Sequence, residues 1–169
     1  GEHVLFFSLE MGTLELITKS ISRLTAMTKE GYSLQNGISS NQIRLNDIPD
    51  EKRAVVKQAI KNYEPVSKRF NIIEGNFNTN IESIKSYTKN YVKKNEVKPI
   101  VIIDYLQIIP GDPKDRSDKE RIDKVVTELK RLSRDLNISV IVISSLNRGN
   151  YLTPIDFESY NGSGGIEYT

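Results

Sequence analysis

Ile100-Val101-Ile102-Ile103-Asp104 runs straight into Tyr105-Leu106-Gln107. Four β-branched residues in an unbroken row, closed by a carboxylate, do not alternate as a half-solvated strand does. They fit a strand covered on both faces, the habit of parallel sheets. Three further runs share this form: Val4 to Leu9, ended by Ser8 and Glu10; Val140 to Ile143, ended by Ser144 and Ser145; and a weaker one, Phe70 to Ile73, ended by Glu74-Gly75. Helical segments separate them. Leu14, Ile17, Ile21 and Leu24 recur at intervals that mark one helix face. Asp50 is placed to cap a second helix, with Val55, Val56, Ala59 and Ile60 inward, and Asn80 a third, with Ile81, Ile84, Tyr87, Tyr91 and Val92 on one side. The clearest stripe lies between Asp118 and Leu136: Ile122, Val125, Val126, Leu129, Leu132 and Leu136, with Lys and Arg on the other faces and Asn137 as the stop. Strand and helix in alternation predict an α/β fold, a mostly parallel sheet flanked by helices, in a single domain over residues 1–169. Ligands of such sheets sit beyond the carboxyl ends of the strands, the edge at which all these closing polar residues gather.

Composition narrows the chemistry. The 169 residues hold 24 basic and 22 acidic side chains, a formal net charge of +2, so any nucleic-acid surface must be local. Without cysteine, the chain offers no disulfide framework, thiolate metal site or cysteine nucleophile, which suits a reducing cytoplasm. His3 is the lone histidine, which argues against His-based triads and zinc sites. No apolar run approaches the length that crosses a membrane.

An apolar strand closed by Asp104 is the Walker B pattern of nucleotide-hydrolysing motors. There a rigidly held carboxylate orients magnesium while the metal bridges phosphates. Many strands also end in Asp simply because a loop begins. Glu10 closes the first strand and, near Asp104, could polarise a water that attacks a terminal phosphate. The plainer alternative puts Glu10 in the first turn of the following helix, where it favours the helix dipole.

The ordered set of strings decides between them. Phe7-Ser8-Leu9-Glu10-Met11, Ile103-Asp104-Tyr105-Leu106-Gln107, Ser144-Ser145-Leu146-Asn147-Arg148 and Gly165-Ile166-Glu167-Tyr168 occur in that order. The chain resembles, over essentially its whole length, the DnaB family of replicative DNA helicases. That resemblance implies a RecA-like P-loop NTPase core, with Glu10 as catalytic base and Asp104 as magnesium ligand. Asp104, Gln107 and Ser145 would lie about the nucleotide, Gln107 either transmitting nucleotide state or packing. It implies ATP and Mg2+ as cofactors, single-stranded DNA as partner, a homohexameric ring, and primase and a helicase loader as further partners. The segment from Pro110 to Arg121 matches a first DNA-binding loop, with Arg116 and Arg121 as phosphate contacts. Asp112, Asp115, Asp118 and Glu120 interleave with those cations, so an ordinary solvated surface is the competing reading. Arg148 stands at the mouth of a second loop, Asp156 to Gly165, where Glu158, Ser163 and Gly164 would track DNA.

Departures matter too. Ser145 stands where the family has a glutamine that senses the terminal phosphate, and serine reaches less far. Phe157 precedes Glu158-Ser159 where relatives often have arginine, and Tyr160-Asn161-Gly162 lengthens the loop, which points to a divergent phage, plasmid or mobile-element branch. No Gly-x-x-x-x-Gly-Lys-Ser/Thr cradle occurs in the 169 residues. By resemblance it lies upstream of Val4, and the arginine finger and final strands beyond Thr169, a core truncated at both ends. The chain alone is therefore expected to bind ATP weakly and not to hydrolyse it. Two other classes stay open: a RecA-core ATPase of recombination or signalling type, and a degenerate, non-catalytic DNA-binding or assembly module.

Overall fold

The computed structural model describes residues 2–28, 31–76 and 78–145. Its elements, in order, are β1 (Val4–Ser8), α1 (Thr13–Ala26), β2 (Met27–Thr28), β3 (Gly31–Tyr32), α2 (Ser40–Leu45), α3 (Arg53–Ser67), β4 (Phe70–Glu74), α4 (Ile81–Asn95), β5 (Ile100–Asp104), α5 (Asp118–Leu136) and β6 (Val140–Val142). Short 3-10 turns cover Asp50–Lys52 and Leu106–Ile108. Within the expected domain span the chain forms two compact units, one of residues up to Glu10 together with those from Ile72, the other Met11–Asn71.

The first unit carries the sheet, in strand order β4-β1-β5-β6. β1 and β5 pair in parallel, Val4 opposite Ile100 and Ser8 opposite Asp104, and β5 pairs in parallel with β6. The four apolar runs are thus the four strands. Leu5, Phe7, Val101 and Ile103 point to one face and are fully buried against Ile84 of α4 and the α5 stripe Ile122, Val125, Val126, Leu129 and Leu132. Truncating one such side chain to alanine costs about 2–5 kcal/mol. The opposite positions, Phe6 and Ile102, are only partly buried, and Ile141 of β6 is 51% exposed. Burial is therefore less symmetrical than unbroken apolar runs suggest: the face carrying Leu5, Phe7, Val101 and Ile103 is closed by α4 and α5, and the face carrying Phe6 and Ile102 is less covered.

Local signals account for the helix ends. The Asn80 side chain accepts a bond from Ser83 N–H at 3.0 Å, and Ser117 caps α5 by accepting from Glu120 N–H at 3.2 Å. Asn137 takes the left-handed conformation, φ 50°, that stops α5. Asp50 differs from expectation. It opens the 3-10 turn, accepts from Arg53 Nε at 2.7 Å, and leaves α3 to begin three residues later without a side-chain cap.

The second unit packs around Ile21, Ile38, Val56 and Ala59. α1 turns Thr18, Ile21 and Thr25 inward, while Leu14 and, on α3, Ile60 are exposed, contrary to the inward positions read from their spacing. The buried Thr25 hydroxyl donates to Ser22 O at 2.6 Å and accepts from Ile38 N–H at 2.9 Å, while Ser22 Oγ donates to Ile38 O at 2.6 Å, so two α1 side chains hold Ile38 by both its backbone groups.

Candidate functional site

Parallel pairing with Ser8 opposite Asp104 brings the carboxyl ends of β1 and β5 level. The ladder continues one step past the strands, since Leu9 N–H donates to Asp104 O at 2.8 Å. On the other side Gly75 N–H donates to Ser8 O at 2.8 Å, tying the exit of β4 to the same corner. Gly75 is close-packed there: a Cβ on it would stand 2.5 Å from Leu9 Cδ2 and 3.3 Å from both Leu9 Cα and Ser8 O. Glu10 follows at once and is exposed, while Asp104 is half-buried, with a cis peptide bond to Tyr105. α1 begins only at Thr13, with Gly12 as its N-cap, so Glu10 lies ahead of the helix rather than in its first turn. Two carboxylates thus close neighbouring strands at the ligand edge.

Among the described residues no group of three or more His, Asp or Glu side chains forms a metal cage. A single strand-end carboxylate suits a magnesium ion held mainly by water and phosphate, which is how that ion is usually bound. Asp104 fits that role and would be its protein ligand.

The next corner joins β5 to β6. Ile143 N–H donates to Ile103 O at 3.0 Å and Leu106 N–H to Ile143 O at 2.9 Å. Beyond these the Gln107 side chain takes over: its Nε2 donates to Ser144 Oγ at 2.8 Å and its Oε1 accepts from Ser145 N–H at 3.2 Å. The structure therefore brings together Gln107 and Ser145, which the sequence singled out separately. It adds Ser144, a third member of that corner.

From here the chain enters the loop 110–117. Arg121, on the first turns of α5, reaches back over it. Its Nη1 donates to Gln107 O at 2.9 Å and Ile109 O at 2.6 Å, and its Nη2 to Asp118 Oδ1 at 3.1 Å. The side chain is only 18% exposed. Arg121 was expected to contact phosphate; as placed, its guanidinium is engaged with the chain's own carbonyls. Arg116, Lys114 and Lys119 are accessible at the surface. The loop is otherwise closed on itself. Asp112 N–H donates to Asp115 Oδ2 at 2.8 Å, Lys114 N–H to Asp112 Oδ1 at 2.8 Å, and Arg116 N–H to Glu120 Oε2 at 3.0 Å.

Lys124 bridges both Asp115 and Glu120. Its hydrogen bond holds the Asp115 carboxyl below the usual range. The Arg116 N–H, followed by Lys124, does the same for Glu120. The two carboxylates in turn raise Lys124. A second bridge, Lys85 of α4 to Glu128 of α5, depresses Glu128 and raises Lys85. Asp115, Glu120, Lys124 and Glu128 line a groove of about 880 Å³ between α4, the loop and α5, where Lys119, Lys124 and Arg131 alternate with Glu82, Asp112 and Asp123. Mixed charge of this kind gives no single-sign field for a polyanion.

Arg148, Glu158, Ser163 and Gly164 lie outside the described residues. Sequence reasoning missed two features, the tight seat of Gly75 and the backbone clamp of Arg121. A glycine directly after a strand-closing acid was the only available signal for the first.

Comparison with known proteins agrees with this architecture. Residues 1–153 match the family model described as the DnaB-like helicase C terminal domain. The replicative DNA helicase DnaB of Helicobacter pylori is 29% identical over 168 residues, covering 97% of this chain and 31% of that protein. Among solved structures, one described as an ATPase domain superposes with a TM-score of 0.80 at 26% identity, covering 98% of this chain and 56% of that one. A DnaB-like replicative helicase described with its interactions with primase gives 0.78 at 26% identity, covering 98% and 38%. The chain therefore spans about a third of the length of the Helicobacter relative.

Proposed function

The chain belongs to the DnaB-like helicase C-terminal domain family, and from that premise we propose that it forms part of the ATP-driven motor of a replicative DNA helicase. The observation that carries the proposal is the register Ser8 opposite Asp104, which sets Glu10 and Asp104 at neighbouring strand ends. In the assembled enzyme Glu10 takes a proton from water as that water's oxygen bonds to the terminal phosphorus of ATP and the bridging P–O bond breaks, releasing ADP and phosphate. Asp104 would hold Mg2+, which when bound would supply positive charge to the phosphates. Gln107, Ser144 and Ser145 line the neighbouring corner and sense the state of the site. Ser145 does so over a shorter reach than glutamine.

Single-stranded DNA is the proposed track. Its phosphates would meet exposed cations of the loop 110–117, Arg116 foremost, together with the second loop carrying Arg148, Glu158, Ser163 and Gly164. Such contacts give affinity without reading sequence. A homohexameric ring, and primase and a loader as partners, belong to the same proposal. Support for primase comes from the structural neighbour described with it.

The test uses the full-length protein. Glu10→Gln should lower ATP turnover by about 10²–10⁴-fold, the usual contribution of a positioned general base, while nucleotide binding persists. The parent should displace a strand from a forked duplex only with ATP present. The 169-residue chain, which contains no Gly-x-x-x-x-Gly-Lys-Ser/Thr cradle, should bind ATP weakly and not turn it over. Full-rate hydrolysis by Glu10→Gln would remove the catalytic assignment, and absence of strand displacement would remove the helicase reading.

A further inference from the structure

Arg121 joins two places that the proposed function treats separately. On one side is the loop 110–117; on the other is the corner where Gln107 holds Ser144 and Ser145. Two carbonyls two residues apart, Gln107 O and Ile109 O, both accept from Arg121 Nη1. These carbonyls stand at the end of a 3-10 turn, where backbone acceptors are commonly met by groups from outside the turn. Guanidinium is a planar, permanently charged fork, suited to hold several acceptors in fixed geometry where an ammonium offers one point. The aliphatic part is also fitted: a Cβ on Gly111 would come within 2.7 Å of Arg121 Cγ and Cδ, and within 2.3 Å of Asp115 Oδ2. Gly111 thus leaves the room in which Arg121 crosses the loop. Asp118 holds the far edge of the fork at 3.1 Å.

We propose that Arg121 is a positioning residue that couples the loop 110–117 to the Gln107–Ser144–Ser145 corner, so that DNA engaged on the loop changes ATP turnover through the Gln107 backbone. This rests on the proposed motor function, and it assigns Arg121 no contact with DNA. The path is short. Movement of Ile109–Gly111 pulls on Arg121, which is bonded to Gln107 O. The same residue's side chain supplies the bonds to Ser144 and Ser145, and Asp104 lies three residues before it.

The test measures basal and DNA-stimulated ATP turnover of the full-length protein, and binding of an oligo-dT strand across a salt series. The variants are Arg121→Gln, Arg121→Lys and Gly111→Ala. The last changes no charge but invades the space of the clamp and of Asp115 beside it, so Asp115→Asn serves as its control: that variant should leave the ratio of stimulated to basal turnover at the parental value. All three should lower the ratio of stimulated to basal turnover by about tenfold, the scale of one charge-assisted hydrogen bond. The slope of log affinity against log salt should stay that of the parent. A direct phosphate contact would behave differently, with Arg121→Lys near parental and the slope for Arg121→Gln shallower by about 0.7, one phosphate's worth on a single strand. That pattern overturns the proposal. So does a parental ratio in all three variants, or an equal fall of basal and stimulated rates, which marks a purely structural role. A parent protein that binds no oligo-dT overturns the motor reading itself, and the coupling with it.

Discussion

Replacing Gly75 with alanine tests the corner that sets Glu10 in place. Gly75 is not among the residues with positive φ, so an alanine there meets no backbone strain. It even gains about 0.4–1 kcal/mol by restricting the unfolded chain. Against that stands a methyl group 2.5 Å from Leu9 Cδ2 and 3.3 Å from Leu9 Cα and Ser8 O. Leu9 can swing its side chain away, but the two backbone atoms yield only by moving β1 relative to the exit of β4. Overpacking of this kind costs about 1–3 kcal/mol. The net expectation is a loss of about 1–2 kcal/mol. For a chain of this size that lowers the thermal midpoint by roughly 3–6 °C and the urea midpoint by about 0.5–1 M. Circular dichroism of parent and variant measures both. Leu9→Ala removes the nearest obstacle and leaves the backbone contacts, so the double variant should recover about 1 kcal/mol of the loss. Unchanged midpoints for Gly75→Ala, or a cost that Leu9→Ala does not reduce, would refute the close seat on which the geometry of Ser8, Leu9 and Glu10 depends.

Thr25→Val keeps shape but leaves the buried Ile38 N–H without its acceptor. It should destabilise the Met11–Asn71 unit by about 1–3 kcal/mol in urea unfolding, with Thr25→Ser recovering most of it. The ion pairs around α5 set a pH dependence. Asp115, Glu120 and Glu128 have depressed folded values, so the stability they add is present above the ordinary carboxylate range and lost as pH falls through the folded values. Lys85 and Lys124 are raised, so their contribution holds below the ordinary lysine value and is lost as pH climbs past the folded one. Urea midpoints between pH 7 and pH 3 should fall less steeply for Lys124→Met than for the parent. An identical slope would mean the Asp115 and Glu120 bridges contribute nothing.

The sheet was legible because unbroken β-branched runs and their closing polar residues are local signals, and the parallel order follows from the helices between them. The α5 stripe and the Asn80 and Asn137 ends were legible for the same reason. Leu14 and Ile60 were misplaced because spacing defines a helix face but not how far along the helix a neighbour covers it. Asp50 sat close enough to α3 to read as its cap, but a 3-10 turn absorbed it. In the candidate site, Glu10, Asp104 and Ser145 were legible as strand-end residues, whereas Gln107 was singled out only by the family resemblance. Arg121 was read as a phosphate contact because its charge shows in the sequence, whereas two of its three acceptors are backbone carbonyls, identical in every residue. A side chain that answers to backbone leaves no partner in the sequence to find.

The rung that Gln107 builds between β5 and β6 has an evolutionary consequence. Backbone rungs are the same whatever the sequence, so mutation reaches them only by breaking the strand. Past Ile143 the link is made by one amide side chain. A single codon change can therefore shorten it, charge it or delete it while the sheet behind remains intact. The opening between these two strands is a heritable variable in its own right, one that selection can tune without rebuilding the fold.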